Sequence, residues 1–122
     1  MLHFDNAGWS GTRRRVILTA PFPAITSLGW MEAPTGFVSD GGSIPRFAWS
    51  IVGDGFDDCL EQFVIHDLLY SPLNTNYSRA EADFIMKELL WNCGVNRFRI
   101  AAFYAAVRFG GGSHFKAKIK SL

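Results

Sequence analysis

Cysteine is scarce in this chain of 122 residues, with only Cys59 and Cys93 present. Two cysteines are too few for the disulfide framework of a small secreted scaffold. Both are expected to be buried thiols acting as small hydrophobic groups. No C-x-x-C or H-E-x-x-H occurs, so a zinc site would have to be assembled from distant segments. An excess of one charge is also missing: Lys and Arg number 12, Asp and Glu 11, for a net charge of +1. Such a balance provides no bulk attraction to a polyanion, and nucleic acid is not an expected partner. The cluster Arg13-Arg14-Arg15 and the tail lysines read as solvated surface. No apolar run approaches the roughly eighteen residues that span a bilayer, and no repeat period suggests a solenoid. Gly110-Gly111-Gly112-Ser113 follows a helix rather than opening one, the wrong polarity for a phosphate loop. The opening residues, Met1-Leu2-His3-Phe4-Asp5, lack the layout of a signal peptide. They point to a protein made in the cytoplasm.

Apolar side chains are plentiful. Hydrophobic residues make up 48% and aromatic residues 15% of the chain, enough for one well-packed domain over residues 1–122 and against general disorder. Residues 1–55 carry strands and a Gly/Pro-rich loop, 56–110 are helical, and 111–122 form a basic, exposed tail. Arg13 to Thr19 reads as a strand closed by Pro21 and Pro23. Ala24 to Ala33 reads as a second strand, with Gly29 marking a bulge. The loop from Pro34 to Arg46 follows, and Ser43 and Pro45 announce a short helix over Phe47 to Val52.

Helical spacing then takes over. Asp57 or Asp58 is expected to cap a helix that runs to Tyr70 and is stopped by Pro72. Ser78 and Glu81 form a capping box for a second helix, which ends at Asn92 before Gly94. Asn96 caps a third, which ends at Phe109. Its alanines (Ala101, Ala102, Ala105 and Ala106) predict a slim face packed beneath the other two helices. The fold class is therefore α+β: small N-terminal antiparallel strands, a glycine-rich loop and a three-helix bundle.

The chemistry centres on the first helix. Asp67 falls in the middle of the face formed by Leu60, Phe63, Val64 and Leu68, where an ionised carboxylate is costly unless paired or metal-bound. His66 lies on the flank of that face, with Tyr70 one turn on. Arg79 and Asp83 are spaced as an i,i+4 pair on the margin of the stripe of Ala82, Ile85, Met86, Leu89 and Cys93. Asp40, His66 and Asp83, with Asp67 beside them, are candidate ligands for a divalent metal, zinc or calcium. Arg46, Arg79 and Arg108 are candidate counter-charges. His66, Asp67, Tyr70 and Ser43 are the candidate catalytic groups, although Ser43 lacks the G-x-S-x-G elbow and also reads as a helix cap. The alternative makes Asp67 a buried ion-pair partner of Arg79 or Arg108 that holds the helices in register.

Four segments resemble a known family. Gly36-Phe37-Val38-Ser39-Asp40-Gly41-Gly42-Ser43-Ile44-Pro45, His66-Asp67-Leu68-Leu69-Tyr70, Arg79-Ala80-Glu81-Ala82-Asp83 and Val107-Arg108-Phe109-Gly110 look like the pattern of the phage and prophage family called domain of unknown function 1353. This chain has Ser39 where that pattern has threonine and Gly42 where it has alanine, and neither change removes a polar group. The resemblance implies a phage or prophage origin and no settled activity. The run from His66 to Tyr70 also resembles the H-D-x-C-Y helix of secreted phospholipases A2, where the histidine is the base and the aspartate holds calcium. That likeness covers five residues, and the cysteines that staple that fold are missing. Two functions follow as expectations. One is a phage-encoded hydrolase, metal-dependent or with a His/Asp general base, acting on a host cell envelope polymer. The other is a non-catalytic component of a phage tail or virion, with other virion proteins as partners and the His-Asp-Arg motif as internal scaffolding.

Overall fold

Alternating side chains and turn residues build the first half of the chain into two small antiparallel sheets. The computed structural model describes residues 2–10, 13–40 and 59–117. Strands β1 (Phe4–Ser10), β2 (Arg13–Leu18) and β5 (Val38–Ser39) form one sheet in the order β1-β2-β5. Strands β3 (Phe22–Thr26) and β4 (Gly29–Ala33) form the other. β1 is an additional strand, and its register with β2 shifts between Asn6 and Trp9, where Gly8 takes a φ of 85°. The short helix expected over Phe47 to Val52, like Ser43, Arg46, Asp57 and Asp58, lies outside the described residues.

The segment from Ala24 to Ala33 is a hairpin rather than one bulged strand. Thr26 pairs with Gly29 across a turn at Ser27 and Leu28, and Gly29 adopts a φ of +131°, which only glycine takes without strain. The Thr26 hydroxyl donates to the Gly29 carbonyl at 3.1 Å and accepts the Leu28 N–H at 3.2 Å. The turn reverses the chain, so Ile25 faces Trp30 on the outer side (Ile25 is 83% exposed) while Ala24 pairs with Met31. Strict alternation along one strand would place Ile25 and Met31 on the same face.

Three α-helices follow: α1 (Leu60–Tyr70), α2 (Arg79–Asn92) and α3 (Arg97–Gly110). The caps of α2 and α3 are those the sequence predicts. Ser78 and Glu81 close a reciprocal capping box, and Asn96 accepts the Arg99 N–H. α1 is buried on every side, from Phe63 through Tyr70 without a break, as expected of a helix hydrophobic around most of its circumference. One core joins Val16, Leu18 and Ala33 of the sheets to Phe63, Val64 and Leu68 of α1, Met86 and Leu90 of α2, and Phe103 and Val107 of α3. Cys59 and Cys93 are joined in a disulfide, which corrects the expectation of two thiols. They flank the N-terminus of α1 and the C-terminus of α2, and antiparallel helices bring those two ends together.

Two further expectations change. On α3 the buried face is Ile100, Phe103, Ala106 and Val107, while Ala101, Ala102 and Ala105 face outward. The larger side chains make the better contact with the core, so only one of the four alanines is buried. The start of the tail is tied down: the Lys116 N–H donates to the Tyr70 carbonyl at 2.6 Å, and Phe115 packs edge-on against the Tyr70 ring. Lys118 and Lys120 lie outside the described residues. Among the described residues no helix is long and apolar enough to cross a membrane.

Candidate functional site: a buried histidine–aspartate pair

The i,i+4 spacing of His66 and Tyr70 stacks their rings on one side of α1, with centroids 4.3 Å apart. α2 runs alongside and presents Asp83 to both. The His66 Nε2 lies 2.9 Å from Asp83 Oδ1, and the Tyr70 hydroxyl donates to the same oxygen at 2.6 Å. From α3, Arg108 Nη1 donates to Asp83 Oδ2 at 3.1 Å. His66 and Asp83 each have 0% exposure. Asp83 therefore sits inside the protein, not on the margin of its helix, with donors from the other two helices.

Burial by itself pushes the Asp83 carboxyl up, but the hydrogen bonds from His66, Tyr70 and Arg108 and the His66 charge outweigh it. The net effect holds Asp83 below its ordinary value, so it is a carboxylate. A carboxylate only accepts hydrogen bonds, so His66 Nε2 carries the hydrogen of the shared bond. In the neutral imidazole the basic nitrogen is then Nδ1. Burial pushes the Tyr70 phenol upward, reinforced by Asp83 and opposed by Arg79, so it stays a neutral donor.

The surroundings hold this geometry in place. Asn74, in the loop between α1 and α2, donates through Nδ2 to the carbonyls of Leu69 and Tyr77 and accepts from the N–H groups of Asn76 and Tyr77. A buried amide with four bonds to one loop fixes how α2 returns along α1. Nothing in the sequence reading singled out Asn74; its place between Pro72 and the Ser78 cap was the available signal. Gly111 is the second residue missed. A Cβ there would stand 2.5 Å from the Val107 carbonyl oxygen and 3.1 Å from the Tyr70 hydroxyl.

Asp67 accepts from the Ser39 hydroxyl at 2.5 Å, joining α1 to β5, while the ion pair to Arg108 belongs to Asp83. Arg79 reaches past Asp83: its Nη2 donates to the Val107 carbonyl at 2.8 Å and to the Arg108 carbonyl at 2.5 Å. It thereby adds a donor at the end of α3, where the Val107 carbonyl also accepts the Gly111 N–H at 2.8 Å. Asp40 is half-buried directly after β5. Ser43 lies outside the described residues. Among the described residues no group of three or more His, Cys, Asp or Glu side chains is gathered as a metal site. A groove of about 510 Å³ beside α1 is lined by Trp30, Met31, Leu68, Leu73 and Tyr77 among others, and neither His66 nor Asp83 lines it.

The fold and site together define an α+β protein with a buried imidazole–carboxylate pair between two antiparallel helices, tied to a third helix by arginine. The chain belongs to the family described as Protein of unknown function (DUF1353), whose model matches residues 16–107. That span runs from Val16, within β2, to Val107, and hence includes His66, Tyr70 and Asp83. No curated protein and no solved structure matches the chain.

Proposed function

We propose that this protein is a small hydrolase in which His66 is the general base and Asp83 holds it in position. The observation that carries the reading is the 2.9 Å contact of His66 Nε2 with a carboxylate kept ionised by Tyr70 and Arg108. An imidazole held through one nitrogen by a buried carboxylate has a defined tautomer, and the imidazolium formed when it takes a proton from water is stabilised by the same carboxylate. With Nε2 engaged by Asp83, His66 activates water rather than ligating a metal through that nitrogen. The phage setting and the choice of a host envelope polymer as substrate rest on the resemblance of the sequence motifs.

The test is a screen of the purified chain against phospholipid and peptidoglycan substrates, beside His66→Ala. General-base catalysis contributes about 10²- to 10⁴-fold, so the variant should lose at least a hundredfold while its circular dichroism is unchanged. Full activity in His66→Ala overturns the proposal. The second reading, a non-catalytic tail or virion component, is favoured by the complete burial of His66 and Asp83. It expects no turnover in the screen and a large loss of stability when Asp83 is replaced.

A further inference from the structure

The face of α3 turned away from the core carries Phe98, Ala102, Ala105 and Phe109. These positions stand at i, i+4, i+7 and i+11, a single narrow stripe. Phe98 is 75% and Phe109 91% exposed, and they lie about 16 Å apart along the axis. Trp91, at the end of α2 and 63% exposed, lines a shallow depression together with Phe98 and Arg97. Large aromatic side chains concentrated on one exposed ridge mark a contact surface.

The charges around the stripe choose its partner. α3 has no Asp or Glu, and Arg97 and Arg99 stand exposed in its first turn. On α2 every carboxylate is engaged within the protein. Glu81 accepts from the Ser78 N–H, Glu88 takes the Ser27 N–H with both oxygens, and Asp83 lies in the buried site. The stripe is therefore apolar with arginines on its flanks, and Glu88, held by the Ser27 N–H, is the α2 carboxylate that shares a groove with Trp91 and Arg97. A second copy pairing through this stripe would bring Arg97 and Arg99 of both copies together, which opposes self-association. A convex ridge of Trp and Phe flanked by arginines suits a bilayer: the rings enter the headgroup boundary and the guanidinium groups meet lipid phosphates.

We infer that the α3 face, through Trp91, Phe98 and Phe109 with Arg97 and Arg99, docks this protein onto anionic phospholipid membranes. The inference does not rest on the proposed hydrolase, because binding is read without turnover and leaves His66 untouched. The experiment is co-sedimentation of the full chain with vesicles of phosphatidylcholine alone and of phosphatidylcholine with phosphatidylglycerol, with Trp fluorescence as a second readout. Binding to the anionic vesicles should be at least tenfold tighter than to the neutral ones, with a blue shift of the emission. Phe98→Ser with Phe109→Ser should weaken it at least tenfold. Arg97→Glu with Arg99→Glu should remove the preference for anionic lipid. These side chains are exposed, so circular dichroism and Tm should stay as in the parent. No binding to anionic vesicles, or binding that both double variants retain, overturns the inference. So does a dimer in sedimentation that the phenylalanine variant dissociates, or binding to an acidic helical peptide in place of vesicles.

Discussion

His66 and Asp83 face each other across α1 and α2 with 2.9 Å between Nε2 and Oδ1, and both are buried. A buried pair of this kind fixes the register of two helices, because sliding either by a turn would leave a charge unpartnered in the core. Tyr70 and Arg108 complete the acceptor capacity of Asp83 from two directions.

Removing the shared acceptor should therefore cost more than removing any one donor. Asp83→Ala is expected to lose roughly 3–5 kcal/mol, the usual penalty for breaking a buried ionic pair. Arg108→Ala should lose about 1 kcal/mol, because that side chain is partly solvated and its bond is one of three. Urea unfolding at neutral pH measures both, and equal losses would contradict the ordering.

The acid limb of stability should report Asp83. Its folded value lies below its ordinary one, so its contribution is complete above the unfolded value of about 4 and disappears as pH falls through the folded value. Urea midpoints from pH 7 down to pH 2 should fall more steeply for the parent than for Asp83→Asn. Parallel curves would show that Asp83 is not the group responsible.

Tyr70 gives the alkaline counterpart. Its phenol is raised, so the stability it contributes is complete below the ordinary value of about 10 and is lost as pH climbs above it. Ultraviolet titration of the folded protein should show one tyrosine ionising late, and Tyr70→Phe should abolish that late step. The same substitution should cost about 1.5–3 kcal/mol by deleting a hydrogen bond to a charged acceptor.

Cys59 and Cys93 are 34 residues apart in sequence, and cross-linking a loop of that length restricts the unfolded chain by about 4 kcal/mol. Alkylation of the unfolded, unreduced protein should label no thiol. Reduction should lower the urea midpoint, and Cys59→Ser should behave like the reduced parent. Two labelled thiols in protein prepared under air would be the contrary result.

Gly111→Ala should destabilise the protein by about 1–3 kcal/mol, since the new methyl would overlap the Val107 backbone carbonyl and crowd the Tyr70 hydroxyl. Gly112→Ala is the control. Its Cβ would meet only the Arg79 guanidinium, at 3.5 Å. Thermal melts of the two variants should separate clearly.

Local chemistry made much of the architecture legible. The Ser78–Glu81 box and the Asn96 cap are determined within four residues of chain, and the structure places both as predicted. His66, Tyr70 and Asp83 stood out because polar groups amid apolar helix positions are costly unless they meet. The hairpin at Ser27 and Leu28 was harder to see, since a two-residue turn closed by glycine resembles a bulged strand in the alternation pattern. The Cys59–Cys93 bond was hidden for a different reason: neither residue has a nearby partner in sequence, and only the antiparallel return of α2 along α1 brings them together.

The sequence alone determined where α2 begins and ends, where α1 ends and where α3 begins, because capping acts over a turn or two. The start of α1 is at Leu60, after Cys59 rather than at the expected Asp57 or Asp58 cap. Which acid took which partner was decided in three dimensions. Asp67 and Asp83 are both carboxylates on apolar helix faces, but the packing of α1 between the sheet and α2 gave Asp67 the Ser39 hydroxyl and Asp83 the imidazole, the phenol and the guanidinium. The same packing turned Phe98 and Phe109 outward, because Ile100, Phe103 and Val107 fill the core on the other side of α3.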